Sequence, residues 1–295
     1  NYWIEPEFIA HLLASRYGEE GLSWLDSNGL ENAEYSFLGV NPKTIISSKN
    51  DNCDNPFEKL TQIDNGFWMG WLSYEAGSWI EPNNSWRESE MATLWIASYD
   101  PIIKFNILKK EITIEGTNLN EIEEYKKLID EINIQKIKDG LNKNLIFDFS
   151  SLNLDKKGEI FRENVLKIKK LISQGDIFQA NLTTQVEIET SEEYKYLDIY
   201  SKIRSKLKAP FGGVIIGSIG GEKEGVLSTS PERFLKTSYD GYVETRPIKG
   251  TRPRNSNEEI DALNAIDLIT NEKDRAENIM IVDLLRNDLG KVCET

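Results

Sequence analysis

Residues 214–228 read Val-Ile-Ile-Gly-Ser-Ile-Gly-Gly-Glu-Lys-Glu-Gly-Val-Leu-Ser. Two short apolar runs, Val214–Ile216 and Val226–Ser228, flank a glycine-rich polar turn at 220–225, the pattern of a strand pair. Working outward, residues 102–115 alternate around Lys109-Lys110 and predict a hairpin. Residues 66–76, Gly-Phe-Trp-Met-Gly-Trp-Leu-Ser-Tyr-Glu-Ala, are aromatic and apolar and predict a buried strand. Helical spacing lies elsewhere. It runs over 5–16, over 121–137 (Ile122, Tyr125, Ile129, Ile132 and Lys136, with charges opposite), over 157–174 up to a stop at Gly175, and over 258–289. Strands that follow one another through short turns, with helices set apart, predict an α+β fold. The polar stretch 138–156, with Gly140 and Ser150-Ser151, is the expected linker between two halves.

The 295 residues carry a net charge of −14, which argues against a nucleic-acid partner. No apolar run reaches the ~18 residues of a membrane span. The opening Asn-Tyr-Trp-Ile-Glu-Pro-Glu lacks the basic flank and apolar stretch of a signal peptide. Cys53 and Cys293 lie far apart and His11 is the single histidine, so a structural zinc site is excluded on ligand count and a reduced, cytoplasmic setting is expected. His11 is expected as a packed or surface side chain. Acid–base chemistry then falls to Glu, Asp, Lys or Tyr.

Four segments carry candidate chemistry. Residues 244–254, Glu-Thr-Arg-Pro-Ile-Lys-Gly-Thr-Arg-Pro-Arg, place Arg246, Lys249, Arg252 and Arg254 against one acid. Two prolines stiffen the stretch and Gly250 permits close backbone approach, so it predicts a pocket for a small anion with Lys249 as a candidate nucleophile. In Ser-Pro-Glu-Arg-Phe at 230–234, a hairpin turning at Tyr239-Asp240-Gly241 would bring Glu232 to Lys249. The alternative is an exposed acid paired with Arg233. In residues 271–288 the middle, Ile279 to Leu285, is apolar all round except Asp283, which predicts a buried helix with Glu277 along a buried stripe. A buried carboxylate there needs a hard cation such as Mg²⁺ or an ion pair with Arg275 or Arg286. Asp283 and Asp288 are expected to organise the helix end with Arg286. The fourth segment, 174–183, is a helix stop followed by an extended stretch, in which Gln179 offers neutral hydrogen bonding.

Together these segments resemble the chorismate-utilising enzyme family, nearest to the members that aminate chorismate at the para position on the route to para-aminobenzoate and folate. Anthranilate synthase component I and the isochorismate and salicylate synthases are the relatives. The resemblance implies two packed antiparallel β-sheets flanked by helices, an N-terminal region over 1–140 and a chorismate-binding catalytic region over 152–295. It implies Glu232 as catalytic acid/base, Lys249 as the lysine that marks para-amination, Gly250 and Thr251 at the chorismate ring and carboxylate, and Glu277 as a Mg²⁺ ligand. Gln179 stands where water-using relatives place a lysine base, which fits an ammonia-using enzyme. Ammonia would come from a separate glutamine amidotransferase subunit. Ser27, Tyr35-Ser36-Phe37-Leu38 and Pro210-Phe211-Gly212 resemble segments that form an amino-acid pocket, which binds tryptophan in relatives; ordinary packing is the alternative. Against the family, the chain is expected to be C-terminally incomplete, leaving its last helix without cover. A non-catalytic amino-acid-binding fragment and anthranilate synthase component I are the competing readings.

Overall fold

The computed structural model describes residues 3–28, 34–49, 53–83, 86, 91–141, 154–188 and 194–294. The strands are β1 (Ser23–Asp26), β2 (Tyr35–Gly39), β3 (Thr44–Ser48), β4 (Phe67–Leu72), β5 (Leu94–Tyr99), β6 (Ile102–Asn106), β7 (Glu111–Glu115), β8 (Phe211–Ile219), β9 (Glu222–Ser230), β10 (Lys236–Thr237) and β11 (Val243–Glu244). The helices are α1 (Pro6–Tyr17), α2 (Pro56–Leu60), α3 (Leu119–Asp130), α4 (Ile134–Leu141), α5 (Leu154–Gln174), α6 (Tyr196–Lys206), α7 (Glu258–Thr270) and α8 (Glu272–Leu289). A six-stranded sheet has the order β7-β6-β2-β1-β8-β9, a three-stranded sheet the order β3-β5-β4, and β10-β11 form a separate ribbon. The pairings are antiparallel, and the fold is α+β.

The strand pair read from residues 214–228 is β8–β9, in the register Val214↔Leu227 and Ile215↔Val226. Its turn uses Gly220 and Gly221 at φ of +63° and +89°, a region open to glycine. The unbroken apolar run of β8 reflects burial on both faces. Val214 and Ile216 join a core with Ile9 and Leu13 of α1, Trp24 of β1, Phe105 of β6 and Tyr200 of α6. Ile215 points the other way, into a core with Met69, Trp71, Trp95 and Tyr99 of the smaller sheet. Trp71 and Trp95 stack there at 5.2 Å. Gly217 faces Trp95 so closely that a Cβ would lie 2.4 Å from the indole.

Several boundaries differ from the sequence expectation. The aromatic run 66–76 holds β4 and then turns into a 3₁₀ helix over Tyr74–Trp79. The periodic stretch 121–137 is two helices, α3 and α4, and only Tyr125 and Ile129 of α3 are buried. The stretch 258–289 is also two helices, because Asn271 ends α7 in an extended conformation and caps α8, its side chain accepting from Asp274 N at 3.1 Å. His11 is packed, with Nε2 2.9 Å from Ser201 Oγ.

The chain forms two compact units, one of residues 1–137 with 196–295 and one of residues 138–195. The expected division was 1–140 and 152–295; in the structure β8 and β9 complete the sheet that β1, β2, β6 and β7 begin. The smaller unit carries α5, stopped at Gly175 with φ +81°, and a stretch over 175–188 without regular structure. Most of the expected linker, residues 142–153, lies outside the described residues, and α4 runs through Gly140.

Candidate active site

Past β9 the chain enters the ribbon predicted around Tyr239-Asp240-Gly241. Gly241, at φ +85°, donates to Ser238 O at 3.0 Å, and Ser238 N donates to Tyr242 O at 2.8 Å. The ribbon pairs Lys236 with Glu244 and Thr237 with Val243. Thr245 Oγ1 donates to Phe234 O at 2.7 Å and extends the pairing side by side. The returning strand therefore passes the Ser-Pro-Glu corner. There Ile248 N donates to Glu232 Oε1 at 2.8 Å. Glu232 is thus held by the backbone of the residue before Lys249. The alternative partner, Arg233, pairs with Glu244 instead.

The cation cluster is less free than the sequence suggested. Arg246 pairs with Glu244 at 2.6 Å and Arg254 with Asp261 at 2.9 Å. Arg252 pairs with Asp274 at 2.8 Å and also with Asp267. The guanidinium of Arg254 and the backbone N–H of Asn255 hold Asp261 below the usual carboxylate range. Glu244 lies in β11, two residues from Arg246, whereas Asp261, Asp267 and Asp274 sit on α7 and α8, seven to twenty-two residues from their partners. They neutralise the arginines that were expected to form an anion pocket. Lys249 is exposed and, among the described residues, enters no ion pair. Gly250 beside it adopts φ +78° and lies against α7 and α8; a Cβ would stand 2.9 Å from Leu268 Cδ1 and 3.0 Å from Asp274 Cγ. Thr251 is exposed.

Glu277 is not on a buried stripe. Its side chain is 45% exposed and faces Lys273 across 3.7 Å, one turn back on the same helix. No residue of α8 is buried, and Ile279 and Leu284 are 60% and 51% exposed. An apolar helix face is buried only where another element covers it, and the described residues cover this helix only in part, leaving Leu285 and Leu289 half-buried. Asp283 pairs with Arg286 at 3.0 Å, as expected, whereas Asp288 pairs with Lys291 at 3.0 Å. The Mg²⁺ implied by the resemblance does not fit these residues alone. Among the described residues no three acidic, histidine or cysteine side chains converge, and Glu277 supplies one carboxylate already facing a lysine. A groove of about 740 Å³ runs between the ribbon and the end of α8, lined by Tyr242, Pro247, Val282, Leu285 and Leu289. Lys249, Glu232 and Glu277 are not among its lining residues.

Gln179 belongs to the smaller unit and is exposed. Of the residues of the expected amino-acid pocket, Ser27 touches Tyr35 and Pro210. Ser27 Oγ donates to Tyr35 O at 2.7 Å and to Pro210 O at 3.1 Å, and Asp26 of β1 lies opposite Gly212 of β8. Ser36 is buried, accepting from Trp24 Nε1 and donating to Leu25 O, each at 2.9 Å. Leu38 is fully buried, Phe37 packs on Phe67 at 5.1 Å with the rings tilted, and Phe211 is partly exposed beneath the guanidinium of Arg233 at 5.8 Å.

Sequence reasoning missed Asp267 and Asp274 as partners of the basic segment. Asp274 stands three residues after the capping Asn271, a helix-start spacing that was legible. Asp267 carries no local signal.

A family model described as chorismate binding enzyme matches residues 23–295. Aminodeoxychorismate synthase of Streptomyces pristinaespiralis is 41% identical over 134 residues, covering 45% of this chain and 18% of that protein. Aminodeoxychorismate synthase component 1 of Klebsiella aerogenes is 38% identical over 146 residues, covering 49% and 30%. Anthranilate synthase component 1 of Methanothermobacter marburgensis is 30% identical over 285 residues, covering 89% and 58%. The chain therefore spans less than two thirds of the length of these relatives, from 18% to 58%. The crystal structure of anthranilate synthase component I from Streptococcus pneumoniae superposes with a TM-score of 0.57 at 22% identity, over 90% of this chain and 64% of that one, a likeness of fold. With the match running from β1 through α8, this chain belongs to the family of chorismate binding enzymes.

Proposed function

We propose that this protein acts as the chorismate-aminating component of an aminodeoxychorismate synthase. It would convert chorismate and ammonia to 4-amino-4-deoxychorismate, with ammonia supplied by a glutamine amidotransferase partner. The observation that carries this reading is the hydrogen bond from Ile248 N to Glu232 Oε1, which ties the acid to the backbone of the residue before Lys249. The aminodeoxychorismate synthases among its relatives support it. In this reading Lys249 Nζ bonds to ring carbon 2 while the bond from carbon 4 to its hydroxyl breaks. Glu232 gives that hydroxyl a proton and water leaves. Ammonia then bonds to carbon 4, the bond from carbon 2 to Lys249 breaks, and the excess proton returns to Glu232. Two easier substitutions replace one hard one. Gly250 and Thr251 offer backbone and hydroxyl contacts to the ring carboxylate, and Gln179 would leave ammonia, not water, as the nucleophile. The Mg²⁺ of the family enters without an assigned step, because Glu277 alone does not hold it. Tryptophan at the Ser27, Tyr35–Leu38 and Pro210–Gly212 cluster belongs to the same proposal.

The anthranilate synthase reading is favoured by the relative that matches 89% of the chain. Product analysis separates the two. The full-length protein, given chorismate, ammonium and Mg²⁺, should form the para-amino product, and Lys249→Ala should abolish it. Formation of the ortho-amino product by the unaltered protein would replace the first reading with the second.

A further inference from the structure

Lys249 lies in a stretch, 245–257, without regular secondary structure. Its position must come from side-chain and backbone contacts at either end. One end is fixed where Ile248 N meets Glu232. The other end is Arg252, and all three of its guanidinium nitrogens are engaged. Nε donates to Asp267 of α7, Nη2 lies 2.8 Å from Asp274 of α8, and Nη1 donates to Thr251 O of its own loop at 3.0 Å. The side chain is 22% exposed and that of Asp274 is 16% exposed, so water only partly screens the pair. Gly250, lacking a Cβ, lets the same loop press against Leu268 and Asp274. Asp274 is held in turn, its N–H capped by Asn271, and Glu277 follows it by three residues on α8.

We propose that Arg252 is a positioning residue, which fixes the loop carrying Lys249 against α7 and α8 and so holds Lys249 beside Glu232. The inference rests on the roles given to Lys249 and Glu232 above. The planar fork of arginine reaches two carboxylates on different helices and a carbonyl at once; a lysine ammonium, a point charge on a flexible stem, does not. A small displacement of a reacting group costs on the order of a hundredfold in rate, so a released loop registers in turnover before it registers in binding.

The test uses the full-length protein with Arg252→Ala and Arg252→Lys, and two readouts. Hydrogen exchange of the Ile248 amide should quicken at least tenfold in Arg252→Ala, with Arg252→Lys intermediate, while exchange in β8 and β9 stays as it was. With chorismate and ammonium, kcat should fall at least tenfold in Arg252→Ala, KM should change less than threefold, and Arg252→Lys should recover part of the loss. Unchanged exchange at Ile248 overturns the proposal whatever the activity. Quickened exchange with unaltered kcat overturns it as well. If the unaltered protein forms no product from chorismate, the proposed function fails and the exchange measurement alone decides the role of Arg252. If Arg252→Ala does not fold, Arg252→Lys and Asp267→Asn carry the same comparison.

Discussion

The carboxylate of Glu232 accepts a hydrogen bond from the backbone N–H of Ile248 at 2.8 Å, sixteen residues along the chain. Glu232→Gln keeps an acceptor for that N–H but has no proton to give. Product formation should fall by roughly 10²–10⁴ while the melting temperature stays within a few degrees. Steady-state kinetics beside a thermal melt checks it, and full activity in Glu232→Gln removes the acid role.

Gly250→Ala meets two costs. The backbone at φ +78° is unfavourable for alanine, and the added methyl lies 2.9 Å from Leu268 Cδ1 and 3.0 Å from Asp274 Cγ. The loss should be about 1–3 kcal/mol, read as a lower midpoint in urea denaturation.

Two ion pairs of similar chemistry should differ in worth because they differ in burial. Asp26 is fully enclosed, 2.5 Å from Arg204 Nε, with Tyr200 donating to it at 3.2 Å and Trp24 packed on the guanidinium at 5.2 Å. Asp26→Ala leaves Arg204 with Glu7 alone, 3.9 Å away, and should cost about 2–4 kcal/mol. Arg246, paired with Glu244 at 2.6 Å, is 69% exposed, and Arg246→Ala should cost less than about 1 kcal/mol. Equal losses in urea denaturation would contradict this ranking.

Asp100 gives a dependence on pH. The Thr117 hydroxyl and backbone N–H hold its carboxyl below the ordinary value, with a smaller contribution from Lys43. A carboxylate depressed in the folded state stabilises it above the unfolded value, about 3.9, and the stabilisation is lost as pH falls through the folded value. Thr117→Val should therefore lower stability at neutral pH by no more than about 1 kcal/mol, since the pair is largely open to solvent. The gap between variant and parent should close below about pH 4. A gap that widens in acid would reverse the sign and refute the assignment.

What was legible in the sequence was local. The apolar run Val214–Ile216 and the glycines after it gave a strand pair, and the Tyr239-Asp240-Gly241 turn gave the β10–β11 ribbon, because each signal lies within a few residues of its effect. The break between α7 and α8 was missed although Asn271 carried it, since the apolar spacing continues on both sides of the cap. The exposure of Ile279 and Leu284 was missed for a different reason. Apolarity states what a helix face favours and not what covers it. The basic cluster misled in the same way. Four cations are visible in eleven residues, but the acids of Arg252 and Arg254 lie on α7 and α8, and only folding shows that these arginines are already paired.

The place of β8 beside β1 bears on how the chain is made. Ser23 and Ile215, partners in the sheet, leave the ribosome roughly ten to forty seconds apart at usual synthesis rates. Until then β1 presents an unsatisfied edge, ready to zip onto any extended segment nearby. A nascent product halted near residue 140 would therefore be sticky rather than a free-standing module, and would call for a chaperone to shield it.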